Sequence, residues 1–358
     1  MLLFLLFFMH WTYAKAGVDI KKEQGVVKAL SKALSSEMSG QAERGLRGFK
    51  GFSGLLEVPF EADARQLLAI STDGVGSKVL VAAELGKWDT IGIDCVAMNV
   101  NDIYCVGATP AGFVDYLAMQ EPDERVAAEV GKGLAEGAKI AGISVVGGET
   151  AILPEVVNGL DLSGTCVGFV RKGSEVSGEK VREGDLVLGL KSSGIHSNGL
   201  TLARKVLEAA GLSLSLSYKE AGVERGGELG GERSVGEELL TPTRIYTEVL
   251  DLLMRGCEVH GLAHITGGGV LKLRRTLGTE LGFDIYEPLE PNEIFRFIQE
   301  LGSVPDEEMY KTFNMGMGFA VVIPESEERE AVRATGGKIV GAVVEAERGI
   351  RVGEVKVV

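Results

Sequence analysis

The sequence predicts an α+β fold in two domains, each a sheet covered by helices. Three observations lead there. The chain has 358 residues, more than one typical core holds and suited to two domains of moderate size. Strand-like apolar runs mix with amphipathic helical stretches in both halves without strict alternation. The 50 glycines follow no collagen-like period. They cluster in short loops beside apolar runs, where a backbone turns tightly or approaches a ligand.

In chain order, Met1 to Met9 reads MLLFLLFFM. It resembles the apolar part of a signal peptide, but no basic residue precedes it and it is too short to span a bilayer. The expectation is that Met9 is the true start and residues 1–8 an upstream extension. Residues 21–38 space Val26, Val27, Leu30 and Leu34 as a helix does. Residues 39–54, glycine-rich and basic, read as a loop: either a linker or a flap over a polyphosphate using Arg44, Arg47 and Lys50. Leu67–Ser71 is a buried strand running into a turn at Thr72-Asp73-Gly74-Val75-Gly76. Helices follow at Ser77–Leu85 and over 89–106, then a strand at Gly112–Met119. Residues 123–142 form the clearest amphipathic helix. Strands at Ile143–Val146 and Leu160–Val170 flank a Gly147-Gly148 loop.

Polar residues Arg171 to Gly184 mark the domain boundary. That gives an extension over 1–16, an N-terminal domain over 17–171 and a C-terminal domain over 172–358. The second domain begins with a strand at Leu186–Leu190, the loop Ser192-Ser193-Gly194-Ile195-His196-Ser197-Asn198-Gly199 and a helix to about Ala210. Residues 211–238 read as a long surface excursion. Thr241 and Pro242 read as the N-cap and first position of a helix reaching Met254. Ile265 to Gly269 is a turn opening onto a helix, and Met315 to Ile323 a strand.

Composition excludes some function classes. A net charge of -14 argues against general affinity for nucleic acid or anionic membranes. Aromatics at 6% are poor material for stacking bases. Phosphorylated substrates stay open, because backbone amides and a cation can hold them locally. Cys95, Cys105, Cys166 and Cys257 form no C-x-x-C pair. They read as buried free thiols in a reducing, cytoplasmic setting.

Several positions can carry chemistry. Asp73, at a strand end among Gly74 and Gly76, can hold Mg²⁺ beside an anion, with Lys78 in reach of a phosphate; a plain Asp-Gly turn is the competing reading. Asp94 and Asp102 lie eight residues apart on one face of an apolar helix, with Asn101 adjacent. Carboxylates buried there require a cation, a cap role or a hydrogen bond to backbone. Glu149 after Gly147-Gly148 either points into a cleft or caps a helix. His196 stands in a loop whose Ser193, Ser197, Asn198, Gly194 and Gly199 would form an anion nest. His264 precedes Thr266-Gly267-Gly268-Gly269 in a similar setting, whereas His260 reads as structural. No Walker-type loop, dinucleotide fingerprint or nucleophile elbow occurs.

Seven motifs in order then carry a resemblance: TDGVGSK, IGIDCVAMNVNDI, VGGETAILPE, LKSSGIHSNGL, LLTPTRIY, AHITGGG and EMYKTFNMGMG. From about Tyr13 to near the C-terminus the chain resembles phosphoribosylformylglycinamidine cyclo-ligases, the aminoimidazole ribonucleotide synthetases. The resemblance implies ATP-dependent closure of an imidazole ring with Mg²⁺ and K⁺, on a small nucleotide substrate. It also implies a homodimer whose N-terminal sheets join in a barrel near ATP. It places Asp73 and Asp102 at metal and triphosphate, with Asp94 and Glu149 as weaker metal candidates. Lys78, Gly74, Gly76, Asn101, the flap from Gly51 to Gly54, and Lys28 or Lys32 fall near ATP. Ser193, Gly194, Ser197, Asn198, Thr266, Gly267 and Gly268 fall at the substrate, and His196 or His264 at the proton transfer. Residues 211–238 match the family pattern poorly. Alternatives are an amidine synthetase of the same superfamily, which shares the HSNG-type loop, or a nucleotide-binding scaffold without turnover.

Overall fold

The computed structural model describes residues 11–12, 15, 54–57, 65–221, 233–276, 280–345 and 349–357. The helix expected over 21–38 with Lys28 and Lys32, and the loop with Arg44, Arg47, Lys50 and Gly51, lie outside them. Gly54, expected in that loop, instead opens the first described strand.

The first half builds one sheet. Strands β1 (Gly54–Glu57) and β2 (Gln66–Gly74) are followed by helices α1 (Lys78–Leu85) and α2 (Ile91–Tyr104). Then come β3 (Thr109–Met119), α3 (Glu124–Ala141), β4 (Ser144–Ile152) and β5 (Leu160–Arg171). The strand order is β1-β2-β5-β3-β4, with β3 and β4 parallel and the other pairs antiparallel. Alternation on β5 is regular: Leu160, Leu162, Cys166 and Val170 are buried, while Ser163, Thr165, Val167 and Phe169 are half-buried. The buried row faces the helices, as a half-covered sheet requires. α2 lies against this sheet and α3 lies against α2 through facing glycines. A Cβ at Gly92 would overlap the backbone of Leu134, and one at Gly133 would overlap Asp89 O.

Two expectations for this half change. β2 continues through Thr72-Asp73-Gly74, because these residues pair with Thr165, Gly164 and Ser163 and Thr72 Oγ1 donates to Gly164 O at 2.9 Å. The turn therefore begins only at Val75. Gly147-Gly148 is strand, not loop: a bulge after Phe113 restores the register, and both glycines pair with β3.

The second half builds a seven-stranded sheet in the order β12-β11-β8-β10-β6-β9-β7. Its elements run β6 (Leu186–Lys191), α4 (Leu200–Ala209), α5 (Val235–Leu239), α6 (Glu248–Met254), β7 (Gly261–His264) and a 3₁₀ helix (Gly269–Thr276). They continue with β8 (Leu281–Ile285), α7 (Glu293–Gly302), α8 (Asp306–Thr312), β9 (Met317–Ile323), α9 (Glu328–Thr335), β10 (Lys338–Glu345), β11 (Ile350–Val352) and β12 (Val355–Lys356). β9, between β6 and edge strand β7, is buried along its whole length.

Here too the reading shifts. Thr241 and Pro242 do not start a helix; α6 begins only at Glu248, after Thr247. The stretch between is extended because its backbone groups bond to the first domain rather than to a helical turn. Residues 211–238 are not all surface: α5 buries Val235 and Leu239, near a buried Leu214, and carries a capping box from Ser234 and Glu237. The cysteines are free, with Cys95, Cys105 and Cys166 buried and Cys257 half-buried. No helix of the described residues is long and apolar enough to cross a membrane. The fold is thus α+β with two mixed sheets. Among the described residues the first sheet does not close on itself.

Candidate active site

Helix α2 carries Asp94, Met98, Asn101 and Asp102 toward the second domain, and that face organises the site. Asp102 Oδ1 lies 3.0 Å from His264 Nδ1 at the end of β7. Asn101 fixes the tautomer. Its Oδ1 accepts from Tyr246 N at 3.1 Å, so its Nδ2 turns to Arg244 O at 2.9 Å and to His264 Nε2 at 3.3 Å. Nε2 must therefore accept, and Nδ1 carries the proton donated to Asp102. Both ring nitrogens of His264 are committed. The ring stacks on Phe319, and its backbone N–H donates to Cys105 Sγ at 3.2 Å. The arrangement suits orientation of Asp102 better than proton abstraction by His264.

Asp73 stands at the end of β2 near this pair. The residue is exposed, yet packed protein around its carboxyl strips away water and the Asp102 charge adds to that, so its pKa lies above the ordinary 3.8. The hydrogen bond from Gly74 and the charge of Lys272 act in the opposite direction. Gly74 N donates to Asp73 Oδ1 at 2.7 Å, and Asn99 Nδ2 holds Asp73 O at 3.2 Å.

The His196 loop lies on the other side. His196 adopts a left-handed backbone with φ 63°, a costly conformation for a non-glycine residue and one that concentrates at functional sites. Its Nε2 accepts from Ser193 N at 3.3 Å, while its buried Nδ1 has no hydrogen-bond partner. Burial holds its pKa well below 6.5, so the ring is neutral near pH 7 and the unpartnered Nδ1 bears hydrogen. It is better fitted to donate a hydrogen bond than to act as a base. Gly318 makes the space, since a Cβ there would overlap the Tyr246 hydroxyl and come within 2.6 Å of His196 Cε1. Asn314 Nδ2 bonds Gly194 O at 2.9 Å, and Asn198 Nδ2 lies 3.9 Å from Met98 Sδ on α2. A Cβ at Gly267 would stand 2.7 Å from Asn198 Oδ1, so the 193–199 loop and the Thr266-Gly267-Gly268 turn meet. Thr266 is buried, and Gly268 has φ 98°.

Three expected ligand residues sit elsewhere. Lys78 and Asp94 are both fully buried and pair with each other at 2.8 Å. Lys78 Nζ also donates to Thr241 O, and Asp94 Oδ1 accepts from Thr243. That pairing keeps the ammonium from a phosphate and the carboxylate from a metal. Of the alternatives open for Asp94, the buried bond to backbone is realised. Glu149 pairs with Tyr116, and Tyr116 pairs with Ser163. Asp73 instead shares its row with Gly164 and Asp115. Adjacent rows face opposite sides, so Glu149 and Asp73 are on opposite faces of the sheet. His260 is structural, with Nδ1 2.6 Å from buried Asp185.

Sequence reasoning missed Thr243, Gly318, Asn99 and Lys272. Asn99 beside Asn101 in an otherwise apolar helix was a usable signal. Gly318 and Thr243 gave none, because their roles come from elements distant in sequence.

The AIR synthase related protein family matches with its N-terminal domain over residues 54–170 and its C-terminal domain over 182–353. A phosphoribosylformylglycinamidine cyclo-ligase of Methanosarcina barkeri is 53% identical over 96% of this chain and 97% of its own. That of Pyrococcus furiosus is 49% identical over 90% of each. The chain belongs to the phosphoribosylformylglycinamidine cyclo-ligase family. Solved structures agree on the fold. A thiamine-monophosphate kinase from Stenotrophomonas maltophilia superposes with TM-score 0.59 at 20% identity, covering 86% of this chain and 90% of that one. Hydrogenase maturation protein HypE in complex with ATP gives 0.54 at 20%, covering 77% and 76%.

Proposed function

We propose that this cyclo-ligase family member closes formylglycinamidine ribonucleotide to 5-aminoimidazole ribonucleotide, consuming ATP, in purine biosynthesis. Near-full-length likeness to curated cyclo-ligases carries the reading. The γ-phosphoryl group of ATP passes to the formyl oxygen and ADP leaves. A substrate nitrogen then attacks that carbon, the carbon–oxygen bond breaks and phosphate departs. Positioning and charge neutralisation supply most of the catalysis in such a sequence.

In this proposal Asp73 and Asp102 hold Mg²⁺. They fit it because burial and, after it, the Asp102 charge raise the Asp73 pKa, and a cation held by both would offset that charge. Among the described residues no group of three or more His, Cys, Asp or Glu side chains converges on a metal position. Two carboxylates completed by phosphate oxygens and water is a usual magnesium arrangement. The ion supplies charge neutralisation on the triphosphate. Gly74, Gly76 and Asn101 shape the ATP end, and K⁺ belongs to the same proposal. Ser193, Gly194, Ser197, Asn198, Thr266, Gly267 and Gly268 hold the substrate, and His196 Nδ1–H donates to its reacting amide. His264 keeps Asp102 oriented.

We also assign a homodimer. The face of the first sheet away from α2 leaves Ile70, Val114 and Tyr116 exposed at about 40% each, with Thr165 and Val167 between them. A second copy that covers this face and closes the two sheets into a barrel would bury them.

The deciding experiment supplies formylglycinamidine ribonucleotide, ATP, Mg²⁺ and K⁺ and follows ADP and aminoimidazole ribonucleotide together. Equal amounts of both are expected. ADP without the cyclised product, or ATP binding without either, rejects the reading.

A further inference from the structure

Residues Thr241 to Tyr246 form a strap outside helix and strand that bonds to both domains. From α1, Lys78 Nζ donates to Thr241 O at 2.6 Å. From α2, Asp94 Oδ1 accepts Thr243 N at 2.7 Å and Thr243 Oγ1 at 2.6 Å. Further along α2, Asn101 bonds Arg244 O and Tyr246 N. The other side of the strap holds the His196 loop. Ser193 Oγ donates to Pro242 O at 2.6 Å, and Ser197 Oγ lies 3.2 Å from Thr243 Oγ1. Arg244 Nη1 reaches Lys191 O at 2.9 Å. Thr243 hydrogen-bonds through its side chain to both sides, to Asp94 and to Ser197, and it is 1% exposed.

The proton order along this chain follows from chemistry. A carboxylate in an ion pair only accepts, so the single Thr243 hydroxyl proton goes to Asp94. Thr243 Oγ1 can then only accept from Ser197, whose own proton is thereby directed at the strap. Ser197 Oγ is left with lone pairs and no proton to offer elsewhere.

We propose that Thr243 is a positioning residue for ring closure. Anchored by the Lys78–Asp94 pair, it fixes the 193–199 loop against α2 and makes Ser197 Oγ a hydrogen-bond acceptor for an N–H group of the substrate amidine. This rests on the reading above that the loop holds the substrate. It gives the buried ion pair a use that fold stability alone does not require, since such pairs are often replaceable by apolar residues without loss of stability.

The test compares Thr243→Val, Thr243→Ser and the double variant Lys78→Met/Asp94→Leu. Thr243→Val keeps the shape and deletes the hydroxyl. Its KM for formylglycinamidine ribonucleotide should rise about tenfold, with the KM for ATP held within about twofold. Thr243→Ser should restore the substrate KM. The double variant should keep its melting temperature and share the substrate defect, because the anchor of Thr243 is gone. Amide hydrogen exchange over residues 193–199 should quicken in Thr243→Val and in the double variant, and return in Thr243→Ser. Unchanged substrate KM and exchange in folded Thr243→Val overturns the proposal. If the unmodified enzyme makes no cyclised product, the assigned activity fails instead, and the exchange of the loop still decides the strap.

Discussion

Burial, and after it the Asp102 charge, hold the Asp73 carboxyl above its ordinary pKa, and once the group is ionised that counts against the folded state. A carboxyl that binds its proton more tightly when folded loses stability as pH rises from 3.8 through the folded value, and the cost is complete above that folded value. Asp73→Asn should therefore lower turnover, on the order of 100-fold, without lowering the melting temperature. A drop in both would mark Asp73 as structural. His196 has the opposite sign. Its folded pKa lies well below 6.5, so the unfolded chain takes up a proton first as pH falls. The stability contributed by the neutral ring is present above pH 6.5 and lost on acidification below it. Melting temperatures from pH 8 to 5 should fall less for His196→Gln than for the parent protein. At this scale the sequence drew attention to His196 and Asp102, which the structure places at a left-handed loop position and beside His264. It misled at Lys78 and Asp94, because spacing does not reveal that two charges on different helices neutralise each other.

Elements were legible in proportion to how far local pattern decides them. The helix expected over 123–142 emerges as Glu124–Ala141, capped by Asp123 and closed by Gly142 in the left-handed region. The Thr-Pro signal at Thr241 failed, because the strap's bonds to Lys78 and Asp94 outcompete helix nucleation, which is intrinsically costly. Strand β4 was cut short at Gly147 for a related reason: cross-strand pairing with β3 overrides the loop preference of two glycines. The α2–α3 glycine contact gives a direct test. Gly133→Ala adds a methyl group where Asp89 O already sits. It should destabilise the protein by about 1–3 kcal/mol, read by denaturant unfolding, whereas Gly131→Ala, with open space around it, should not.

For the whole molecule, the uncovered sheet face predicts association. Tyr116→Lys places a charge among Ile70, Val114 and Val167, and light scattering should then report a monomer where the parent protein gives twice that mass. A parent protein that is itself monomeric at micromolar concentration would remove the dimer assignment. Two domains were readable from length and from the polar stretch after Arg171. How closely they join was not, because the joining residues are separated by roughly 150 positions, as Asp94 and Thr243 are.

The same strap has a consequence for motion. Swinging the domains apart would strip Lys78 and Asp94 of their bonds to Thr241 and Thr243. A hydrogen bond to a charged group contributes about 1.5–3 kcal/mol net, so losing these three leaves an open form populated at well under one percent. Nucleotides must then enter and leave by rearrangement of individual loops, not by a hinge between the halves. Small-angle scattering with and without ATP should accordingly give the same radius of gyration.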